Sequence, residues 1–172
     1  MCGTRRPPRS ATVPGRSNTE AELPKNLEAT VDILAAPERV WQIVSDLSRM
    51  PEFSPMTRKM IPLGTPKAGT WTVNWNKDGW KVWPTSSRIV RFEPEREFAF
   101  RMNENGTTWS FTLEPIANGT RLTERRDVSA GVRWPVRKVI DTVLGGEPAF
   151  EENLLDGMKK TLAAIKAAAE AA

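Results

Sequence analysis

Glu124 and Arg126 are the residues whose types and spacing best suit chemistry in this chain of 172 residues. They stand two positions apart on a predicted strand, so both side chains point to the same face of a sheet. On an apolar face, an arginine can polarise a carbonyl group and a glutamate can accept a proton beside it. Two other interpretations stay open: a buried structural ion pair, or a slipped loop that turns both side chains outward.

The residue types that the sequence lacks narrow this chemistry further. The chain contains no histidine and no tyrosine. A histidine general base, a Ser-His triad and a histidine-ligated metal are therefore excluded. Cys2 is the single cysteine, which rules out an internal disulfide and a cysteine-rich metal site. We expect proton transfer to use Asp, Glu, Lys or water, and we expect no cofactor and no metal.

The net charge of +4 is concentrated near the N-terminus. Residues 1–26 hold five basic and two acidic side chains, so the rest of the chain is nearly balanced. The body has no basic stripe of the kind that nucleic-acid-binding proteins use, and nucleic acid is not an expected partner. No apolar run approaches the ~20 residues of a membrane-spanning helix, and no secretory signal is recognisable. We predict a cytoplasmic protein without an integral membrane segment.

The C-terminal stretch organises the predicted domain. Residues 1–24 are rich in Pro, Arg, Ser, Thr and Gly without apolar periodicity, which predicts a disordered basic tail followed by one domain at residues 25–172. Residues 147–172 carry one apolar stripe at helical spacing, formed by Phe150, Leu154, Met158, Leu162 and Ile165. A helix with a single apolar stripe needs a broad apolar surface to pack on.

Strands between residues 27 and 128 can supply that surface. Alternation from Leu27 to Ile33 predicts a first strand, and Pro37 begins a helix. A second short helix follows, which we expect Pro51 to stop. Turn signals such as Asp78-Gly79, Asn105-Gly106 and Asn118-Gly119 then predict six further strands in an antiparallel meander.

Two-residue turns at Asn-Gly fix a predicted register. A turn at Asn105-Gly106 pairs Met102 with Trp109, Phe100 with Phe111 and Phe98 with Leu113, so these six apolar side chains share one face. A turn at Asn118-Gly119 pairs Glu124 with Leu113 and Arg126 with Phe111, which places the acid and the base on that same face.

The orientation of the strand around Trp75 is left open. A turn at Asp78-Gly79 pairs Trp75 with Val82, and a four-residue turn at residues 93–96 then points Trp71, Val73 and Trp75 outward. A bulge at Pro84 would return the tryptophans to the interior. Either the pocket has a wall of Asn74 and Asn76, or the outer surface carries a tryptophan patch suited to dimerisation.

The order of elements resembles the START-like helix-grip fold, and within it the polyketide cyclase/dehydrase and lipid-transport group, which includes the birch-pollen-allergen type. The residues that carry the resemblance are Ala36-Pro37-Glu38-Arg39-Val40-Trp41, Ser45-Asp46-Leu47, residues 50–55, residues 76–80, residues 83–90, Glu93-Pro94, residues 98–100 and residues 119–124. It covers about residues 27–170.

The resemblance implies an α+β protein in which a curved seven-stranded antiparallel sheet wraps around a long C-terminal helix, with two short helices after the first strand. It also implies an elongated apolar cavity between sheet and helix. Aromatic polyketide cyclases of this family orient carbonyl groups with polar side chains, commonly Tyr and Arg. This chain has no tyrosine, so the polar candidates are Asn74, Asn76, Arg88 or Arg91, Glu124 and Arg126.

We therefore predict that the protein binds a hydrophobic or amphipathic small molecule of the lipid, polyketide or quinone-like kind. The predicted ligand-binding residues are Asn76, Trp83, Phe98, Phe100, Met102, Trp109, Phe111, Leu113, Leu122, Leu154 and Met158. One alternative is a polyketide cyclase/dehydratase-type enzyme that acts through Glu124 and Arg126. A second is a protein-interaction module or homodimer held together by exposed tryptophans.

Overall fold

The computed structural model describes residues 25–128 and 147–171. In chain order the elements are β1 (Leu27–Ile33), α1 (Pro37–Val44), a 3₁₀ turn (Leu47–Arg49), α2 (Met50–Phe53), β2 (Thr57–Pro62), β3 (Trp71–Asp78), β4 (Lys81–Glu93), β5 (Glu97–Met102), β6 (Thr108–Ile116), β7 (Gly119–Asp127) and α3 (Glu147–Glu170). The predicted tail and the side chain of Phe150 lie outside what is described.

All seven strands form one antiparallel sheet in the order β1-β7-β6-β5-β4-β3-β2. Strands β2 to β7 follow each other as a meander, and β1 pairs with β7 along its whole length. Helix α3 packs against β1, β7 and the two short helices. This arrangement confirms the predicted fold class, a curved sheet gripping a long C-terminal helix.

The short helices differ from the prediction at one proline. Pro37 begins α1 as expected, and the Asp46 side chain caps the 3₁₀ turn by accepting a hydrogen bond from the Ser48 backbone N–H at 3.1 Å. Pro51, however, lies in the first turn of α2 instead of ending a helix. A first-turn proline loses no hydrogen bond, because the N–H groups there have no partner within the helix.

Each of the three hairpin registers differs from the prediction by two residues. Phe100 pairs with Trp109 instead of Phe111, and Phe98 pairs with Phe111 instead of Leu113. The same correction applies elsewhere: Glu124 pairs with Phe111, Arg126 with Trp109, and Trp75 with Pro84. Because side chains alternate with a period of two, every residue stays on its predicted face.

The two alternatives for β3 turn out to be true together. Pairing runs without a break through Pro84, and the irregularity in β4 lies instead between Ile89 and Arg91. Trp71 and Trp75 are 48% and 44% exposed on the outer face, whereas Asn74 is buried on the inner one. Successive residues of one strand thus form both a polar inner wall and an apolar outer surface.

The core and a cavity share the space beneath α3. Leu162, Ile165 and Ala169, in the C-terminal half of the helix, join a continuous core that includes α1, β1, Phe98 and Leu122. The N-terminal half of the described stripe, represented by Leu154 and Met158, is buried but does not belong to that core cluster. It covers a cavity instead.

Candidate ligand-binding cavity

The cavity has a volume of about 160 Å³ and lies between α2, the inner face of the sheet and the N-terminal half of α3. An apolar cavity of about 150 Å³ in another protein is large enough to bind benzene. The space therefore accommodates a one-ring molecule, or part of a longer one.

Methionines dominate the apolar wall. The chain has six methionines, and every one after Met1 lines the cavity: Met50, Met56, Met60, Met102 and Met158. A methionine side chain is unbranched and polarisable, so it adapts to the shape of a neighbouring group. A wall built in this way favours ligands that are apolar but not of one fixed shape.

Seven of the eleven predicted ligand-binding residues line the cavity, and four do not. Those that line the cavity are Asn76, Phe100, Met102, Trp109, Phe111, Leu154 and Met158. Phe98, Leu113 and Leu122 belong to the solid core. Trp83 lies opposite Asn76 in the sheet but outside the cavity wall. Ligand binding by the lining residues stays a prediction.

The cavity also has a wall that the sequence analysis missed. It consists of Met50, Ser54, Pro55, Met56, Thr57 and Met60, together with Gly157 and Thr161 on α3. The signal was present in the sequence, because three methionines fall within residues 50–60, between the start of α2 and β2. Alternation patterns do not identify such a segment, since it is mostly a short helix and its exit loop.

Most polar side chains on the wall already have partners within the protein. The Asn74 amide donates to Ser87 Oγ at 3.2 Å and accepts from Thr72 Oγ1 at 3.0 Å, and the Asn76 amide donates to Thr85 Oγ1 at 2.8 Å. Hydroxyl groups behave in the same way, with pairs Thr57–Ser54 and Thr161–Gly157 carbonyl. These groups are therefore held in fixed positions.

Glu124 is the exception among these lining residues. Its side chain is 6% exposed and lines the cavity, and its Oε2 has no hydrogen-bond partner among the described residues. Burial raises the pKa of this carboxyl from 4.5 to about 8, because removal from water penalises the charged form. At neutral pH the group is mainly protonated, so its O–H can donate a hydrogen bond into the cavity.

Arg126 does not join Glu124 at the cavity. It is 3% exposed, but its Nη1 lies 3.8 Å from Oε1 of Glu151 on α3 and 3.4 Å from the carbonyl oxygen of Lys25. Glu151 also accepts a hydrogen bond from the Lys25 backbone N–H at 2.6 Å. Arg126 thus pairs with the terminal helix and does not line the cavity, and its role in orienting a ligand beside Glu124 stays a prediction.

The other arginine candidates point away from the cavity. Arg88 is exposed on the outer face, where its Nε donates to the carbonyl oxygen of Gly69 at 3.2 Å. Arg91 is also exposed and forms an ion pair with Glu97 at 2.6 Å. The interpretation of either residue as part of the polar cavity wall is therefore wrong.

Two further properties of the described residues bear on the kind of site. Within residues 25–128 and 147–171, no three His, Cys, Asp or Glu side chains are arranged to hold a metal ion. No helix in the same ranges is long and apolar enough to cross a membrane. The cytoplasmic location stays a prediction.

The sheet, the terminal helix and the space between them define a helix-grip protein with a ligand-sized cavity. The chain belongs to the family described as "Polyketide cyclase / dehydrase and lipid transport", which matches residues 24–170. No curated protein matches the sequence.

Solved structures share this fold. The di-domain ARO/CYC StfQ from the steffimycin biosynthetic pathway is similar with a TM-score of 0.67 and 18% identity over 86% of this chain, which spans 51% of StfQ. The Zhui aromatase/cyclase from a Streptomyces species is similar with a TM-score of 0.63 and 16% identity, over 85% of this chain and 93% of that one. The Aha1 dimer from Colwellia psychrerythraea has a TM-score of 0.59 and 16% identity, over 85% and 96%. At these identities the likeness establishes the fold.

Proposed function

We propose that the protein binds a small hydrophobic molecule of the lipid, polyketide or quinone-like kind and holds one of its oxygen atoms at Glu124. The observation that carries this proposal is the buried carboxyl whose Oε2 has no partner among the described residues, in a wall where the amide and hydroxyl side chains are paired. An unsatisfied buried polar group costs about 1–3 kcal/mol, so a ligand acceptor that meets it gains affinity.

The surrounding wall supports the apolar part of the proposal. Phe100, Trp109 and Phe111 present flat apolar surfaces, and five methionines line the same cavity. Phe111 stacks on Phe98 with ring centroids 6.4 Å apart, which fixes the aromatic wall to the core. A ligand therefore meets a rigid sheet on one side and adaptable side chains elsewhere.

Acetophenone and ethylbenzene test the proposal, because the two molecules differ mainly in a carbonyl group. We expect the protein to bind acetophenone about fivefold more tightly at pH about 6, since one neutral hydrogen bond contributes about 1 kcal/mol. The preference is expected to vanish at pH about 9.5, where Glu124 has lost its proton. Calorimetric or NMR titration of both compounds at both pH values measures it.

Two variants provide controls for this experiment. Glu124→Leu removes the donor and should abolish the preference at both pH values. Glu124→Gln keeps an N–H donor and should retain it at both. A wild-type preference that does not change with pH, or one that survives in Glu124→Leu, would contradict the assignment of the carbonyl group to Glu124.

A cyclase/dehydratase-type enzyme is the second candidate, and the pKa of Glu124 favours it. A carboxyl with a pKa of about 8 can both donate and accept protons near neutral pH. In this case the protein should accelerate exchange of the acetophenone methyl hydrogens for deuterium in D₂O, as followed by NMR. Glu124→Gln should still bind acetophenone without accelerating exchange. Exchange no faster than in buffer would leave binding as the function.

The homodimer predicted from the exposed tryptophans stays a prediction. A structural relative, the Aha1 protein, is described as a dimer. The surface that such a dimer would use has a charge pattern that favours a different partner.

A further inference from the structure

The outer surface of β2, β3 and β4 is apolar along its centre and basic at its edges. We call it the tryptophan face and define it by Lys59, Ile61, Trp71, Val73, Trp75, Lys77, Val82 and Arg88, which share the outer side of the sheet. Ile61, Trp71, Trp75 and Val82 are each between 44% and 57% exposed. Trp80, in the turn beyond β3, is 87% exposed.

The other half of the same outer surface is different. On β1 and β7, Asp32 pairs with Arg121 at 2.8 Å and Glu28 with Arg125 at 4.0 Å, while Thr30 and Thr123 are hydrogen-bonded at 3.0 Å. That half is polar and balanced in charge. Among the residues that the structure describes on this outer surface, exposed tryptophans and an excess of cations thus lie in one half.

From this contrast we infer that the tryptophan face docks on the surface of an anionic lipid bilayer. Indole rings favour the headgroup region of a membrane, because one edge of the ring is polar and its faces are apolar. Lysine and arginine side chains at the edge attract anionic headgroups while their stems lie along the apolar surface. The face combines both features.

Charge favours a bilayer over a second copy of the chain. Lys59 lies opposite Trp75 in the sheet, Arg88 lies opposite Trp71, and Lys77 follows two positions after Trp75. A two-fold interface through this face would bring the cations of both copies together, and lysine is depleted at such interfaces. Among the described side chains, Glu104 brings a carboxylate to this face, where it accepts hydrogen bonds from Ser86. It does not balance the cations.

The position of the face relative to the cavity is consistent with docking. Asn74 and Asn76 line the cavity, and Trp75 between them belongs to the tryptophan face. The cavity wall is therefore one strand thick at this point. Docking through the face would hold the cavity next to the bilayer, although the docking inference does not depend on what the cavity binds.

Flotation of the full chain with vesicles tests the inference. We expect binding to vesicles of phosphatidylcholine mixed with phosphatidylglycerol, weaker binding to phosphatidylcholine alone, and a decrease as salt is raised. Trp71→Ser with Trp75→Ser should lower the partition constant by at least about tenfold on both kinds of vesicle. Lys59→Gln with Lys77→Gln should lower it by roughly fivefold per lysine on the anionic vesicles alone.

Matched variants and the oligomeric state decide the outcome. Arg121→Gln with Arg125→Gln removes two charges from the other half of the surface and should leave binding unchanged within about twofold. Thermal melts verify that each variant is folded.

Tryptophan variants that float like the wild type would overturn the inference, as would binding that is abolished by Arg5→Gln, Arg6→Gln and Arg9→Gln alone. A dimer that Trp71→Ser with Trp75→Ser dissociates, without vesicle binding, would instead assign the face to a second copy.

Discussion

Glu124→Gln is expected to become more stable relative to the wild type as pH rises from about 5 to about 8.5, with a gain of about 4 kcal/mol in the free energy of unfolding. The physical reason is the burial of Glu124, which raises the pKa of its carboxyl from 4.5 to about 8. Chemical denaturation at a series of pH values measures the difference.

The direction of this effect follows from proton linkage. Between the ordinary pKa of 4.5 and the folded value of about 8, the folded protein keeps a proton that the unfolded chain releases. Unfolding therefore releases protons in this range, and a rise in pH favours the unfolded state. The wild type loses stability through this window, whereas glutamine does not titrate and removes the dependence.

Glu114→Gln is the matched control. Glu114 lies on the neighbouring strand β6 and is exposed, so its substitution should change the free energy of unfolding only slightly. A glutamine at position 124 is also buried. Its burial changes the free energy of unfolding by an amount that does not depend on pH, because the amide does not titrate. Parallel stability curves for the wild type and Glu124→Gln would show that this carboxyl is not held in the protonated form.

The sequence predicted the order of elements and the faces of the strands, but not the turns. The hairpin after β3 uses Gly79-Trp80 as its two-residue loop, with Gly79 at φ +57°, in place of Asp78-Gly79. Glycine at the first loop position is typical of a type II′ turn, whereas Asp-Gly would form type I′. The residues around Gly79 are compatible with both turn types, so the sequence does not distinguish between them.

The turn at Asn118-Gly119 was misplaced for a different reason. Gly119 is the first residue of β7, at φ +149°, and a Cβ atom there would lie 2.0 Å from the carbonyl oxygen of Ile33. The glycine is thus required by the close approach of β1, which is far away in sequence. At Asn105 the side chain accepts a hydrogen bond from the Thr107 backbone N–H at 2.9 Å within a longer loop.

The candidate site was predicted less completely than the fold, because it depends on side chains from distant segments. Alternation placed Glu124 and Arg126 on the inner face, and both are there. It did not predict that Arg126 contacts Glu151, which leaves Glu124 to the cavity. Nor does any strand pattern predict that α2, its exit loop and β2 each supply one methionine to the wall.

Arg126→Met is expected to lower the free energy of unfolding by about 3 kcal/mol, and the melting temperature by roughly 6–12 °C. The substitution conserves most of the side-chain volume but removes the cation beside Glu151, whose side chain is 13% exposed. A buried charge without its partner destabilises the folded state more than an intact pair stabilises it. Urea denaturation measures the change.

The neighbouring residue Arg125 is the natural control. Its guanidinium lies 4.0 Å from Glu28, and both side chains are about half exposed at 49% and 58%, so Arg125→Met should cost less than about 1 kcal/mol. Adding Glu151→Gln to Arg126→Met removes the carboxylate that has lost its partner. The double variant should therefore recover part of the lost free energy of unfolding. If Arg126→Met were instead as stable as Arg125→Met but bound acetophenone poorly, Arg126 would contact the ligand after all. Because Arg126 pairs with α3 outside the cavity wall, we expect the opposite: a less stable protein whose affinity for acetophenone, measured while it is folded, is unchanged.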